Sequence, residues 1–261
     1  MNEVADLFTL KGRVTVVTGG TRGIGEMIAT GFLQGGAKTY ITSRKADACE
    51  AMQKKLGEFG ECVAAPFDLS TVEGCEAFTA FIAEREDKVD VLVNNAGASW
   101  GEPLDVFPEE GWDRTMDLNV KSIFFLTQKM LPLLRAAAKA EGRGRVINIG
   151  SVDGLTIPQM ENYAYSASKA AVHHLTRVLA KPLAKDRITA NAIAPGPFVS
   201  KMTAFLLGTE AGQEAVGNQL PLGRIGAPAD MIALSTFLAS PAADYITGTT
   251  IPLDGGYTNA R

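Results

Sequence analysis

Short apolar runs rich in β-branched residues alternate along the chain with longer stretches in which apolar positions recur at helical spacing. Residues 13–17, 39–42, 62–65, 89–93, 145–149 and 188–193 read as strands. Several lack the apolar–polar alternation of a half-exposed strand, as expected for strands covered on both faces. Between them, residues 25–35, 46–60, 71–86, 109–140, 163–186 and 228–239 carry helical periodicity. Residues 249–253 suit an edge strand, because Pro252 has no N–H to give to a ladder. The repeated strand–helix alternation predicts an α/β fold, one doubly wound parallel sheet with helices on both faces. No linker, composition shift or internal repeat divides residues 1–261, so the expectation is a single domain. The one irregular stretch, about residues 195–222, has the length of a lid over the carboxyl ends of the strands.

Charge and composition narrow the possible partners. Lys and Arg number 25 against 29 Asp and Glu, a net charge of −4, and no basic stripe of the kind that tracks nucleic-acid phosphates stands out. Cys49, Cys62 and Cys75 are an odd count without metal or redox spacing, so three reduced thiols and no metal site are expected. Residues 1–6 lack the charged and apolar regions of a signal peptide, and no apolar run reaches the length of a membrane span. The chain therefore reads as cytoplasmic.

The first strand runs into Thr18, Gly19, Gly20, Thr21, Arg22, Gly23, Ile24 and Gly25, and a helix follows. Glycines between a strand and a helix let backbone N–H groups approach a pyrophosphate, which the helix N-terminus stabilises. The spacing, Gly-x3-Gly-x-Gly, also occurs in ordinary turns, but its place on the first strand–helix connection favours a dinucleotide. At the end of the second strand, where a preference for NAD calls for a carboxylate, stand Ser43, Arg44 and Lys45. With Arg22 they favour the 2′-phosphate of NADP(H), although Arg44 can equally be a solvated residue at a helix start.

Tyr165 and Lys169 lie one helical turn apart on a common face. An ammonium about 4 Å from a phenolate is worth about 4 kcal/mol at an effective dielectric near 20. That is up to about 3 pKa units, enough to bring a phenol toward neutral pH. Ser151 precedes Tyr165 by 14 residues, at the end of a strand, where its hydroxyl can hold a carbonyl oxygen. Asn119, inside the long predicted helix, is either an ordinary polar residue or one that bends the helix and holds a water against Lys169.

The glycine turn 18–25, Asn94–Gly97, Asn119, Ser151, Tyr165-x3-Lys169 and Pro195-Gly196 together resemble the short-chain dehydrogenase/reductase family, in that family's order and over nearly the whole chain. The resemblance implies a single Rossmann-type domain and hydride transfer with a nicotinamide cofactor. It implies Tyr165 as general acid/base, Lys169 as its partner and ribose anchor, Ser151 as carbonyl orienter and Asn119 as support for a proton relay. Gly19, Thr21, Arg22, Gly23, Ile24 and Gly25 then hold the cofactor, with Asp68 and Leu69 at the adenine. Asn95, Ala96, Gly97, Pro195, Gly196, Phe198 and Ser200 border its cleft. Within the family the chain is most similar to β-ketoacyl reductases, in the stretches 94–101, 147–152, 163–171 and 193–202.

The expected substrate is a 3-oxoacyl thioester, on an acyl carrier protein or coenzyme A. Met202, Phe205, Leu206 and Leu207 suit an acyl chain but can equally be packing. A carrier protein needs a basic rim, and Lys129, Lys139, Arg143, Arg145, Lys185 and Arg187 are its candidates, unless they are scattered solvated charges. The alternatives are a dehydrogenase for a sugar, polyol or small ketone, and a non-catalytic NADP(H)-binding sensor or scaffold. His173 and His174 read as core or surface residues rather than ligands, and Asp153 as either a substrate neighbour or a turn residue. The resemblance also implies a homotetramer, with the helices of residues 109–140 and 163–186 at one interface.

Overall fold

Alternate residues of the central strands enter two different cores, which is why the strand segments show no apolar–polar alternation. The computed structural model describes residues 3–158 and 160–260; Met1, Asn2, Gln159 and Arg261 lie outside them. In chain order the elements are α1 (Val4–Phe8), β1 (Val14–Thr18), α2 (Gly23–Gln34), β2 (Lys38–Ser43), α3 (Ala46–Leu56), β3 (Cys62–Pro66), α4 (Val72–Ala83) and β4 (Val91–Asn94). There follow α5 (Glu109–Met116), α6 (Ser122–Glu141), β5 (Gly144–Ile149), α7 (Tyr163–Ala184), β6 (Ile188–Pro195), α8 (Ala204–Leu207), α9 (Glu210–Gly217), α10 (Pro228–Ala239) and β7 (Thr250–Leu253). Val17, Val93, Ile147 and Ile193 join Ile28, Phe32, Met231 and Leu238 on the α2 and α10 side. Val16, Leu92, Val146 and Ala190 join Phe78, Ile82, Leu126 and Leu134 on the side of α4 and α6.

All seven strands are parallel, in the order β3-β2-β1-β4-β5-β6-β7. The order reverses between β1 and β4, and such a reversal opens a crevice at the carboxyl ends of the strands. β7 is the expected edge strand, with Pro252 paired in register with Ala194.

Two expectations change in detail. The helix expected over residues 109–140 is two helices, separated by a π turn at Asp117–Lys121 that contains Asn119. The stretch after β6 is not wholly irregular, for it carries the short helices α8 and α9. Leu207 is buried there, whereas Met202, Phe205 and Leu206 are exposed, so packing and lid surface are divided among the four.

At the opposite, amino ends of the strands, the buried carboxylate of Asp90 fixes the sheet. It accepts from the Val14 N–H at 2.9 Å and from the Arg13 guanidinium at 3.0 Å, while the Asp90 carbonyl receives the Arg145 N–H. Asp90→Ala leaves a buried N–H and nearby cations unmatched, so the urea midpoint should fall by the equivalent of about 3 kcal/mol. The kcat of the folded fraction should not change.

Candidate active site

The glycine turn is held open by the end of β4. Thr18 Oγ1 accepts from the N–H groups of Asn95 and Ala96, each at 2.9 Å, and Asn95 Nδ2 donates to the carbonyls of Thr18 at 2.8 Å and Gly19 at 3.2 Å. Gly19 has φ +63°, and a Cβ there would press on Ala96 Cα at 3.0 Å. At Gly25 a Cβ would meet the Gly19 carbonyl and Asn95 Nδ2 at 2.4 Å, so only glycine lets α2 start this close to β1. No side chain caps α2; Arg22, at the cap position, is exposed. The first N–H groups of α2 are therefore available to an anion.

Beyond the turn, Arg44, Asp68, Ser70, Arg114, Asp117 and Leu118 line a polar pocket of about 350 Å³. Asp68 is held below the usual carboxylate range: burial raises it, but the Ser70 N–H and hydroxyl and the Arg44 charge outweigh that. Arg44 and Lys45 are exposed, and the Ser43 hydroxyl lies within 3.3 Å of both the N–H and the carbonyl of Lys45. The Leu69 side chain is buried in the core, next to Asp68. Arg114 and Leu118 escaped the sequence reading because nothing in their spacing sets them apart from the surface of the helix that was expected there.

Ser151, Tyr165 and Lys169 meet at the carboxyl end of β5. Lys169 is buried, and its Nζ donates to the Ile149 carbonyl at 2.8 Å and lies 5.5 Å from the centre of the Tyr165 ring. Burial pushes the lysine down to about 8, with Asp153 holding it up. Burial likewise drives the Tyr165 phenol up, to about 12; the Ser151 hydroxyl opposes this and the Asp153 charge adds to it. Tyr165 itself is partly buried, and the lysine that faces its ring is held by the backbone at the end of β5.

Asn119 is fully buried. It accepts from Ala98 N–H at 2.8 Å and donates to the Ala98 carbonyl and to Ser168 Oγ, both at 2.9 Å. These bonds tie the π turn to the loop after β4 and to α7. The π turn is the bend that the sequence allowed at Asn119.

On the lid side, Gly196 N–H donates to Leu253 O, and Ser200 lies against Gly23 while exchanging hydrogen bonds with Thr203. The Phe198 ring is buried in the α2/α10 core and against Gly226. Ile24 and Ala96 pack partly against the two cores. The expected basic rim is reduced, because Lys129 pairs with Glu76 at 2.6 Å, Arg143 pairs with Asp244, and the buried Arg145 also pairs with Asp244. The three cysteines are buried and free. Among the described residues, no helix is long and apolar enough to cross a membrane.

A doubly wound parallel sheet, a glycine turn opening α2, and serine, tyrosine and lysine gathered at the end of β5 define a nucleotide-dependent oxidoreductase of the short-chain type; the chain belongs to the short-chain dehydrogenase/reductase family. A family model described as enoyl-(acyl carrier protein) reductase matches residues 19–258. The rhamnolipids biosynthesis 3-oxoacyl-[acyl-carrier-protein] reductase of Pseudomonas aeruginosa is 47% identical over 250 residues, spanning 96% of this chain and 98% of that protein. The Pseudomonas aeruginosa RhlG/NADP active-site complex superimposes with a TM-score of 0.93 at 46% identity, covering 97% of this chain and 99% of that one. A gluconate 5-dehydrogenase from Burkholderia cenocepacia in complex with NADP and tartrate gives a TM-score of 0.90 at 32% identity, covering 99% and 100%.

His173, one turn beyond Lys169, is buried beneath Ser151, whose N–H lies 3.4 Å from Nε2. Burial, aided by the Lys169 charge, pushes the imidazole down to about 4. The unfolded chain therefore takes up this proton first as pH falls. Stability should be complete above pH 6.5 and drop by about 2–3 kcal/mol between pH 7.5 and 4.5 from this group. Urea unfolding at both pH values, compared with His173→Gln, measures that share.

Proposed function

We propose that this enzyme reduces the keto group of a 3-oxoacyl thioester to a secondary alcohol, using NADPH. The observation that carries the reading is the placement of Ser151 and Tyr165 at the end of β5, above a buried lysine and beside an uncapped helix start. The residues fit the cofactor. The glycine turn and the first N–H groups of α2 suit the pyrophosphate, and the pocket of Asp68 and Leu118 suits the adenine. Arg44 stands at the end of the second strand, where the 2′-phosphate calls for a cation, with Arg22 in the glycine turn. When bound, the dihydronicotinamide supplies the hydride.

The protein's own groups handle the oxygen. Ser151 and Tyr165 donate hydrogen bonds to the keto oxygen, which favours the alkoxide as it forms, and the Tyr165 hydroxyl then gives up its proton. Lys169 stabilises the resulting tyrosinate electrostatically and anchors the nicotinamide ribose. Asn119 keeps the loop after β4 in place behind these groups. Leu155, Ile157 and Met160 after β5, and Met202, Phe205 and Leu206 near α8, expose apolar surface that suits an acyl chain better than a sugar. Residues 195–222 form the lid; Lys139, Lys185 and Arg187 stand at the amino ends of the strands, away from the site, and do not form the rim expected for an acidic carrier. The unpaired edge of β7, with Tyr245 fully exposed nearby, suits assembly into a homotetramer.

A second reading, oxidoreduction of a sugar acid, draws on the similarity to gluconate 5-dehydrogenase. Initial rates with acetoacetyl and longer 3-oxoacyl thioesters, on coenzyme A and on carrier protein, should exceed those with 5-ketogluconate, and NADPH should be preferred to NADH. Turnover of the sugar acid alone would replace the first reading by the second. Arg44→Ala should raise the KM for NADPH about 10- to 100-fold, the loss of one charge-assisted phosphate contact, and leave that for NADH nearly unchanged.

A further inference from the structure

Asp153 follows Ser151 by two residues, in the turn after β5. Its backbone N–H donates to Ser151 Oγ at 3.1 Å, which leaves the serine proton free to donate elsewhere. Its Oδ2 accepts from Asn162 Nδ2 at 3.0 Å. Asn162 is buried, immediately precedes α7, and accepts from Ser166 Oγ at 2.9 Å. One side chain therefore joins the turn that carries Ser151 to the first turn of the helix that carries Tyr165. Covalently, the two are connected through a loop that exposes Leu155, Ile157 and Met160.

We propose that Asp153 is a positioning residue: through Asn162 it fixes the distance between the hydroxyls of Ser151 and Tyr165, and its carboxylate faces the Tyr165–Lys169 pair. The inference rests on the ketone-reduction reading. The titratable groups around the carboxylate are Tyr165 and Lys169 on α7, with His173 one turn further and Arg177 beyond it. Glu161, in the loop, is exposed and lies within hydrogen-bond distance of the Tyr163 hydroxyl. Gly154 lets the backbone after Ser151 rest directly on α7, where a Cβ would come within 2.5 Å of the Lys169 carbonyl carbon. That contact is independent of the carboxylate, so variants at Asp153 keep the fold while losing the finer alignment.

Two substitutions separate alignment from charge. Asp153→Asn retains an oxygen that accepts from Asn162, whereas Asp153→Ala does not. With acetoacetyl coenzyme A and NADPH, Asp153→Ala and Asn162→Ala should each lower kcat about 10- to 100-fold. KM and the NADPH Kd should stay within about threefold of wild type. Asp153→Asn should keep kcat at its optimum but move the pH limb controlled by Tyr165 down by about one unit, since a negative charge beside the phenol is gone. The same shift should appear in a carbon-13 tyrosine NMR titration of the full-length protein with NADP+, the signal being assigned by its loss in Tyr165→Phe. Wild-type kcat in Asp153→Ala, a loss confined to thermal stability or KM, or an unmoved Tyr165 signal in Asp153→Asn would each overturn the proposal. If the wild-type protein turned over no ketone, the reduction reading would fail, and the NMR titration, which needs no substrate, would still decide the role of Asp153.

Discussion

Burying an ammonium group is the constraint around which this site is arranged. Lys169 is almost fully removed from water, and one direct contact compensates it, the Ile149 carbonyl at 2.8 Å. The Asp153 carboxylate supports its charge from nearby, while the cost of desolvation still brings it down to about 8. Neighbouring features follow from that choice. His173 stays neutral one turn away, and Tyr165 lies with its ring beside the cation. Such a buried cation is weak support for stability and strong support for chemistry that needs a field at one atom.

Much of this was legible in the sequence, for identifiable reasons. The order of strands and helices followed from apolar periodicity, and the glycine turn from residues that only a close approach of backbone requires. Asn119 was visible as a helix residue of middling propensity, yet its hydrogen bonds to Ala98 and Ser168, and the π turn they stabilise, depend on tertiary contacts that no local pattern encodes. The burial of the Phe198 and Leu69 side chains in the two cores likewise depends on tertiary packing. Spacing placed Tyr165 and Lys169 on one face but could not show that Lys169 Nζ donates to the Ile149 carbonyl.

Chemistry and selectivity sit on different parts of the molecule. Ser151, Tyr165 and Lys169 are fixed by β5 and α7, whereas the exposed apolar residues at 155–160 and 199–206 lie on connections that can vary without disturbing the sheet. A scaffold of this kind supports both acyl and sugar substrates, which accords with the mixed activities of its relatives. In the proposed reading the pocket shared by Arg44, Asp68, Arg114 and Leu118 holds the adenine end of the cofactor, so discrimination between cofactors can change independently of the substrate.

The central claim is that Tyr165 moves the proton in a reaction whose other requirements are met by the rest of the site. Single-turnover reduction of acetoacetyl coenzyme A by Tyr165→Phe preloaded with NADPH tests it most directly, with cofactor binding followed by fluorescence. The account predicts an NADPH Kd within about threefold of wild type and a rate lower by about 1,000-fold, near the upper range for loss of a general acid. A rate within about tenfold of wild type, with the cofactor bound, would contradict it.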